Sequence, residues 1–382
     1  MTTSTPPTST TSTTSSTTST TSSTTTSSTT SSTTTSTSIT PPTSEVPPPA
    51  PPPPAPAPAP PPAPTDPTSA SYPQLAAAIA GLERRNLAVS VSVRRTGAEP
   101  FDRSWGSTNA GAPVAADTPF VIASASKLIT ALAIARLAEA GQLDVAAPVP
   151  WAAMGIAHHP AWDDVTPREL LDHTSGMPIV RESWLAVGQP CAAPLAFVMS
   201  APPSATRGRW TYSNGNYCAL GLLVEFLTGQ PLDAATRALI LDPAGVVGPY
   251  LARAGFTPES APYPKGAQRL LGLGGAGEWV ASSDALAAIV QSITPTDRDV
   301  MRFPGIIVDQ YGWGHTGTLD GAKACAWVLD DGAMPQSAGA TVLVGLVAGN
   351  NPDTGGGVCD RLVTALAADL GRSAGLPIRL PR

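Results

Sequence analysis

Lysine is scarce: Lys127, Lys265 and Lys323 are the only three in 382 residues. Most positive charge is arginine, the formal net charge is −6, and no basic patch interrupts the chain. Binding to nucleic acid relies on clustered Lys and Arg against phosphates, so the sequence argues against that partner. No apolar run reaches the ~18 residues that a membrane-spanning helix needs. The four cysteines, Cys191, Cys218, Cys325 and Cys359, are too far apart for a zinc knuckle or a redox CxxC pair. His158 and His159 precede Pro160 with no further ligands in reach, so no metal is expected, and nothing implies an organic cofactor.

What is abundant at the start is equally selective. From Met1 to about Ser44 the chain is almost entirely Thr and Ser, and from Val46 to about Pro64 it is Pro and Ala. Neither stretch has the apolar surface to offset the entropy of ordering a chain. Residues 1–68 are therefore expected to be a disordered stalk followed by a stiff polyproline spacer. Residues 69–382 are expected to hold the folded domain. Such a stalk suits a surface-attached or wall-crossing protein. No basic and apolar leader precedes it. The expected place is nonetheless extracellular or cell-wall associated, with the true start lying upstream.

Within the folded part, Tyr72 to Arg85 predicts a helix with Leu75, Ile79 and Leu82 on one face. Leu87 to Arg95 alternates as a strand, and Phe101 to Ser107 follows as a hairpin partner. Ser124 to about Ala140 predicts a long helix closed by Gly141. Residues 143–248 read as helices and loops, with a capping-box start at Thr166 to Glu169 and a helix from Asn216 to Thr228 ending at Gly229. Strands return at Trp313–Thr318, Ala324–Leu329 and Ala340–Ala348, before an amphipathic helix from Val358 to Leu370. Strands at both ends can share one sheet, leaving the middle as a helical lobe.

The chemistry starts at Ser124 and Lys127. Residues three apart on a helix share a face, which sets the amine beside the hydroxyl. A serine needs a neighbouring base to become a nucleophile. Lysine serves only if its pKa falls well below ~10.4. Taken alone, the pair also fits a helix-capping serine followed by a lysine that reaches solvent. Three further features bear on the choice: Leu171 to Gly176 with His173, Thr174 and Ser175; Tyr212-Ser213-Asn214; and Gly314-His315-Thr316-Gly317-Thr318 on an expected strand.

With these motifs in this order, the chain resembles the serine penicillin-recognising enzymes, the group of class C β-lactamases, DD-peptidases and related esterases. The resemblance runs from about Tyr72 to the C-terminus. It includes the run Thr118 to Thr130 and the glycine-rich segment Gly274 to Ser282. It implies an α+β, two-lobe β-lactamase-like fold: a mostly antiparallel sheet flanked by helices, plus an inserted all-helical lobe. It also implies that Ser124 is acylated, with Lys127 and Tyr212 on either side and either one as the base. Asn214 is expected to bond the lysine amine and the substrate amide. His315, Thr316, Gly317 and Thr318 would line the cleft edge, with the backbone N–H groups of Ser124 and Thr318 as the oxyanion hole. Gly317 is expected to let the substrate backbone approach, and the His315 imidazolium to act as a cation beside Tyr212. His173 and Thr174 read as hydrogen-bonded core residues of a structural turn.

Many β-lactamases carry lysine where His315 stands, and no carboxylate here resembles a water-activating base. The resemblance therefore implies a DD-carboxypeptidase-like or esterase activity, with weak β-lactam turnover or a catalytically silent wall-binding role as alternatives. The substrate is expected to be a small molecule or a peptidoglycan-type peptide, and the protein a monomer. Cys191 and Cys218 both fall in the helical lobe. Cys325 opens an expected strand, and Cys359 starts the closing helix that should pack nearby. For an exported protein, the pairs Cys191–Cys218 and Cys325–Cys359 are expected.

Overall fold

The structure, a computed structural model, describes residues 71–179, 188–257, 261–264, 270–301, 307–309, 311–329, 340–350, 352 and 357–372. The expected stalk and spacer lie outside these residues.

Helix α1 (Pro73–Glu83) leads into β1 (Ala88–Arg95) and its hairpin partner β2 (Phe101–Trp105). After β3 (Phe120–Val121) and a short 3-10 turn at Ala123–Ala125 comes α2 (Ser126–Glu139). The next stretch carries α3 (Pro167–Leu171), α4 (Ala192–Met199), α5 (Asn214–Thr228) and α6 (Leu232–Thr236). No strand falls among the described residues of 143–248. Then follow β4 (Tyr250–Leu251), β5 (Trp279–Ala281), α7 (Ser283–Gln291) and α8 (Pro295–Met301). The chain closes with β6 (Ile307–Asp309), β7 (Gly312–Leu319), β8 (Ala322–Leu329), β9 (Thr341–Ala348) and α9 (Val358–Asp369).

The main sheet runs in the order β2-β1-β9-β8-β7-β6, with antiparallel pairing throughout. Strands from the two ends of the domain thus join in its middle, where β1 pairs with β9. Side chains alternate across the sheet. Val89, Val91 and Val93 of β1, with Cys325, Trp327 and Leu329 of β8, pack under α1 and α9. Ala324, Ala326 and Val328 of β8 face the core built around α2 and α7. Every residue of β9 is buried because both faces are covered, so its sequence is a continuous apolar run. On β1 the second face carries Ser90 and Ser92, each bonded at 2.8 Å to Ser283 Oγ at the start of α7. That shared partner satisfies hydroxyls that would otherwise be costly to bury.

Helix α2 is apolar nearly all round, with eleven buried side chains from Ser126 to Leu137, because sheet, helical segment and α8 enclose it. Its pattern is accordingly not amphipathic. The capping box at Thr166 and Glu169 is present in both directions. Helix α5 starts two residues earlier than its periodicity predicts, because Ser213 Oγ caps it by accepting from Gly215 N–H at 3.2 Å. Cys325 lies inside β8, not at its start, since the strand begins at Ala322. A second, three-stranded sheet, β3-β5-β4, was not expected, nor were α7 and α8.

Candidate active site

The position of Ser124 is set by backbone. Ala123 has φ near +47°, a left-handed conformation that costs an L-residue ~1–2 kcal/mol. It breaks the line from β3 so that Ser124 sits in the 3-10 turn ahead of α2 rather than in the helix itself. Ser126 Oγ accepts from Trp279 N–H at 3.2 Å, tying this turn to β5. Ser124 remains half-buried, while Ala123, Ala125 and Ser126 are buried around it.

Lys127 is almost completely buried, at 1% exposure. Its Nζ lies 2.8 Å from Asn214 Oδ1, 2.7 Å from the Ala276 carbonyl oxygen and 3.2 Å from Ser124 Oγ. Burial holds the amine below its ordinary pKa, opposed by the charge and hydrogen bond of Tyr212. Lys127 makes no ion pair among the described residues. Tyr212 donates to Ser124 Oγ at 2.9 Å, and the Lys127 Nζ lies 5.0 Å from its ring centre. The serine oxygen thus meets two proton carriers at once, as the sequence pattern required. Tyr217, also near Lys127, has its phenol pushed far up by burial and stays protonated.

His173 is the buried, hydrogen-bonded residue that the sequence led one to expect, and it also touches the site. It too has positive φ, near +56°. Its Nδ1 accepts from Asn216 Nδ2 at 2.9 Å and from Ser213 N–H at 3.3 Å, and its carbonyl accepts from Thr211 N–H at 2.8 Å. Its ring packs 4.6 Å from that of Tyr212. Two donors on Nδ1 place the ring proton on Nε2. Burial, with the charges of Lys127 and His315, depresses its pKa well below the usual imidazole value.

Strand β7 forms the other wall. His315 and Gly317 point inward and are buried, Thr316 is half-buried, and Thr318 is exposed. Thr318 Oγ1 accepts from Lys323 Nζ at 3.2 Å. The structure bears on two expectations about this strand. The first concerns His315. It is 2% exposed, and burial together with Lys127 pushes its pKa down to about 3. Its Nδ1 donates to the Thr316 carbonyl at 2.6 Å. The ring is therefore neutral at neutral pH and is not the cation expected beside Tyr212. The second concerns Gly317. A Cβ there would stand 2.1 Å from the Ile122 carbonyl oxygen. The missing side chain makes room for the segment that precedes Ser124.

Other residues of the site gave little sequence signal. The Ala276 carbonyl fixes Lys127, and Thr130 Oγ1 donates to the Gly275 carbonyl at 2.7 Å. Directly beyond, the buried Glu278 accepts from Arg253 N–H at 3.0 Å and from its guanidinium. The glycine-rich run was visible in the sequence, but backbone acceptors carry no residue type.

The four cysteines form two disulfides, Cys191–Cys218 with Cα atoms 6.0 Å apart and Cys325–Cys359 at 5.1 Å.

A helix-turn serine bonded to a buried lysine and a tyrosine, on an antiparallel sheet with a helical insert, defines the class of β-lactamase-like serine hydrolases. The family described as Beta-lactamase matches residues 75–368, and the chain belongs to it. Esterase EstB of Burkholderia gladioli is 35% identical over 191 residues, covering 43% of this chain and 47% of that protein. A putative penicillin-binding protein, PbpX of Bacillus subtilis (strain 168), is 29% identical over 152 residues, 38% of this chain and 36% of the relative. The chain thus spans less than half the length of these relatives. Among solved structures, D-amino acid amidase from Ochrobactrum anthropi SV3 superposes with a TM-score of 0.62 at 19% identity, over 78% of this chain and 99% of that one. An octameric penicillin-binding protein homologue from Pyrococcus abyssi gives 0.62 at 20%, over 79% and 78%. Those two likenesses bear on the fold.

Proposed function

We propose that the chain hydrolyses esters or small amides through an acyl-enzyme on Ser124, with Lys127 as the base. The observation that carries this reading is the hydrogen-bond geometry of Lys127. Two carbonyl-type acceptors, Asn214 Oδ1 and the Ala276 oxygen, take two N–H bonds, and the third direction points at Ser124. A neutral amine has two N–H donors and one lone pair, which fits these three partners. Burial favours that neutral form.

In the forward step Ser124 Oγ bonds to the substrate carbonyl carbon as its proton passes to Lys127 Nζ. The oxyanion is taken by the backbone N–H groups of Ser124 and Thr318. Collapse expels the leaving group, which is protonated by Tyr212, and Tyr212 recovers its proton from Lys127. Water then reverses the sequence to release the acid. Asn214 orients the lysine and, with Thr316, receives the substrate.

Because His315 is neutral, the site lacks the fixed cation that would anchor a substrate carboxylate from this strand. Neutral esters and amides are thus preferred over carboxylate-bearing β-lactams and D-alanyl peptides. The two disulfides support an extracellular or wall-associated place, since such bonds persist in oxidising compartments. The working assembly is a monomer, which light scattering tests, with an octamer like that of the Pyrococcus abyssi homologue as the contrary outcome. The activity is tested by a panel of a short-chain nitrophenyl ester, a D-Ala-D-Ala peptide and a chromogenic cephalosporin. The ester should be turned over fastest; silence on all three, with no covalent adduct, would leave a wall-binding protein.

A further inference from the structure

We propose that the Cys191–Cys218 disulfide is a positioning element of the active site: it clamps the start of α5 against the turn at Gly274–Ala276 and so sets where Lys127 stands. The bridge closes the loop that carries Tyr212 and Asn214, the two side chains that hydrogen-bond the Ser124–Lys127 pair. Cys218 lies one helical turn after Asn214 on the same face of α5. At the other end, Cys191 precedes α4 and rests on the glycine turn. A Cβ built on Gly274 would meet Cys191 Sγ at 2.7 Å, so sulfur and backbone are in direct contact. Gly275 is pressed in the same way between the Tyr217 carbonyl, Thr130 Oγ1 and Gly221. The next residue, Ala276, supplies the carbonyl that holds Lys127 at 2.7 Å.

Both acceptors of the lysine amine therefore neighbour the bridge: Asn214 is joined to Cys218 through one turn of helix, and Ala276 lies two residues after the glycine on which Cys191 packs. Both sulfur-bearing residues are buried, at 3% and 1% exposure. Opening the bond removes the covalent link between Cys191, which rests on the glycine turn, and Cys218 of α5. The glycine turn has no side chain at 274 or 275, and besides this packing it is held by the Thr130 hydroxyl on the Gly275 carbonyl. Catalytic groups must stand within ~0.5 Å of their working positions, so a small shift in either acceptor changes the amine's surroundings. The other bridge joins β8 to α9 and touches neither acceptor.

The inference rests on the acyl-transfer reading only for its effect on rate, so its first readout is independent of activity. With three lysines in the chain, protein labelled with 13C at lysine Cε gives three signals, assigned by Lys265→Arg and Lys323→Arg. Titrating oxidised wild type, wild type reduced with a phosphine, and Cys191→Ala/Cys218→Ala follows Lys127 directly. The reduced protein keeps every side chain, and it carries the test if the double variant does not fold. Mass spectrometry counts the thiols. Opening the bridge should admit water and raise the Lys127 pKa by about half a unit or more. In parallel, kcat on a nitrophenyl ester should fall about tenfold, with KM within about twofold. An unchanged Lys127 titration in folded protein with the bridge open overturns the proposal, whatever the rate does. A shifted titration in a protein that never turns over an ester upholds the clamp and overturns the acyl-transfer reading instead.

Discussion

Replacing Gly317 with alanine should separate the two walls of the site. The new Cβ would stand 2.1 Å from the Ile122 carbonyl oxygen, where ordinary contact begins near 3.4 Å. The overlap exceeds about 1 Å, and neither side yields easily. Ile122 is held by its N–H bond to the Trp279 carbonyl at 3.2 Å, and β7 is held along its length by β8. The ladder must therefore move outward from the Ala123–Ala125 turn. That costs ~1–3 kcal/mol of stability, as overpacking generally does. The larger effect is on chemistry, because Thr318 N–H moves away from Ser124 N–H. Losing one oxyanion donor costs about 10²–10³ in rate, roughly 3–4 kcal/mol. Stopped-flow acylation by a nitrophenyl ester, run well below the melting temperature, reads this directly. Acylation within threefold of wild type in a folded Gly317→Ala protein would refute the argument that this contact sets the oxyanion site.

His173→Ala should lower kcat about tenfold or more by releasing Tyr212, whereas His173→Asn should recover most of it. Asparagine tolerates positive φ and offers Oδ1 near the place of Nδ1; equal loss in both variants would remove the positioning role. His315 and His173 should also make the fold acid-sensitive. Both have folded pKa values depressed below the unfolded ~6.5, so the unfolded chain binds more protons as pH falls. Stability is full above about pH 6.5 and declines toward the folded value near 3, so urea midpoints should drop from pH 6.5 to 4. His315→Asn should flatten that slope, and equal slopes would contradict the neutral imidazole. For the same reason kcat/KM should show no limb near pH 6.5 that is peculiar to carboxylate-bearing substrates; such a limb, lost in His315→Asn, would restore the imidazolium.

The meeting of Ser124, Lys127, Tyr212 and Asn214 was readable because the proposed chemistry needs particular side chains at fixed spacing. Ser124 and Lys127 share a turn, and Tyr212 and Asn214 bracket a helix cap. β9 was readable from its β-branched content, β7 and β8 from short apolar and motif-bearing runs, and the cysteine pairing from which elements lie close. The rest depended on packing. The charge of His315 is decided by how deeply β7 is covered, which no local pattern records. Ala123 carries no mark of its left-handed backbone. The strands β3 and β4 are two residues long, too short for alternation to register. Helix α7 did leave a signal: Ser282 caps it by accepting from Ala285 N–H at 3.1 Å, ahead of an apolar stripe. α8 left another, with Thr294 accepting from Asp297 N–H at 3.1 Å. Both caps are weak signals beside the glycine-rich run that precedes them.

The most direct measurement is covalent labelling followed by peptide mapping. Wild-type protein, treated with an alkyl fluorophosphonate and with a fluorescent penicillin, should gain one adduct per chain on the peptide that contains Ser124. Ser124→Ala should gain none while keeping its melting temperature, and Lys127→Ala should label at least about 10³-fold more slowly, since the two groups act as a unit. An adduct on another residue, or full labelling of Ser124→Ala, would contradict the account at its centre.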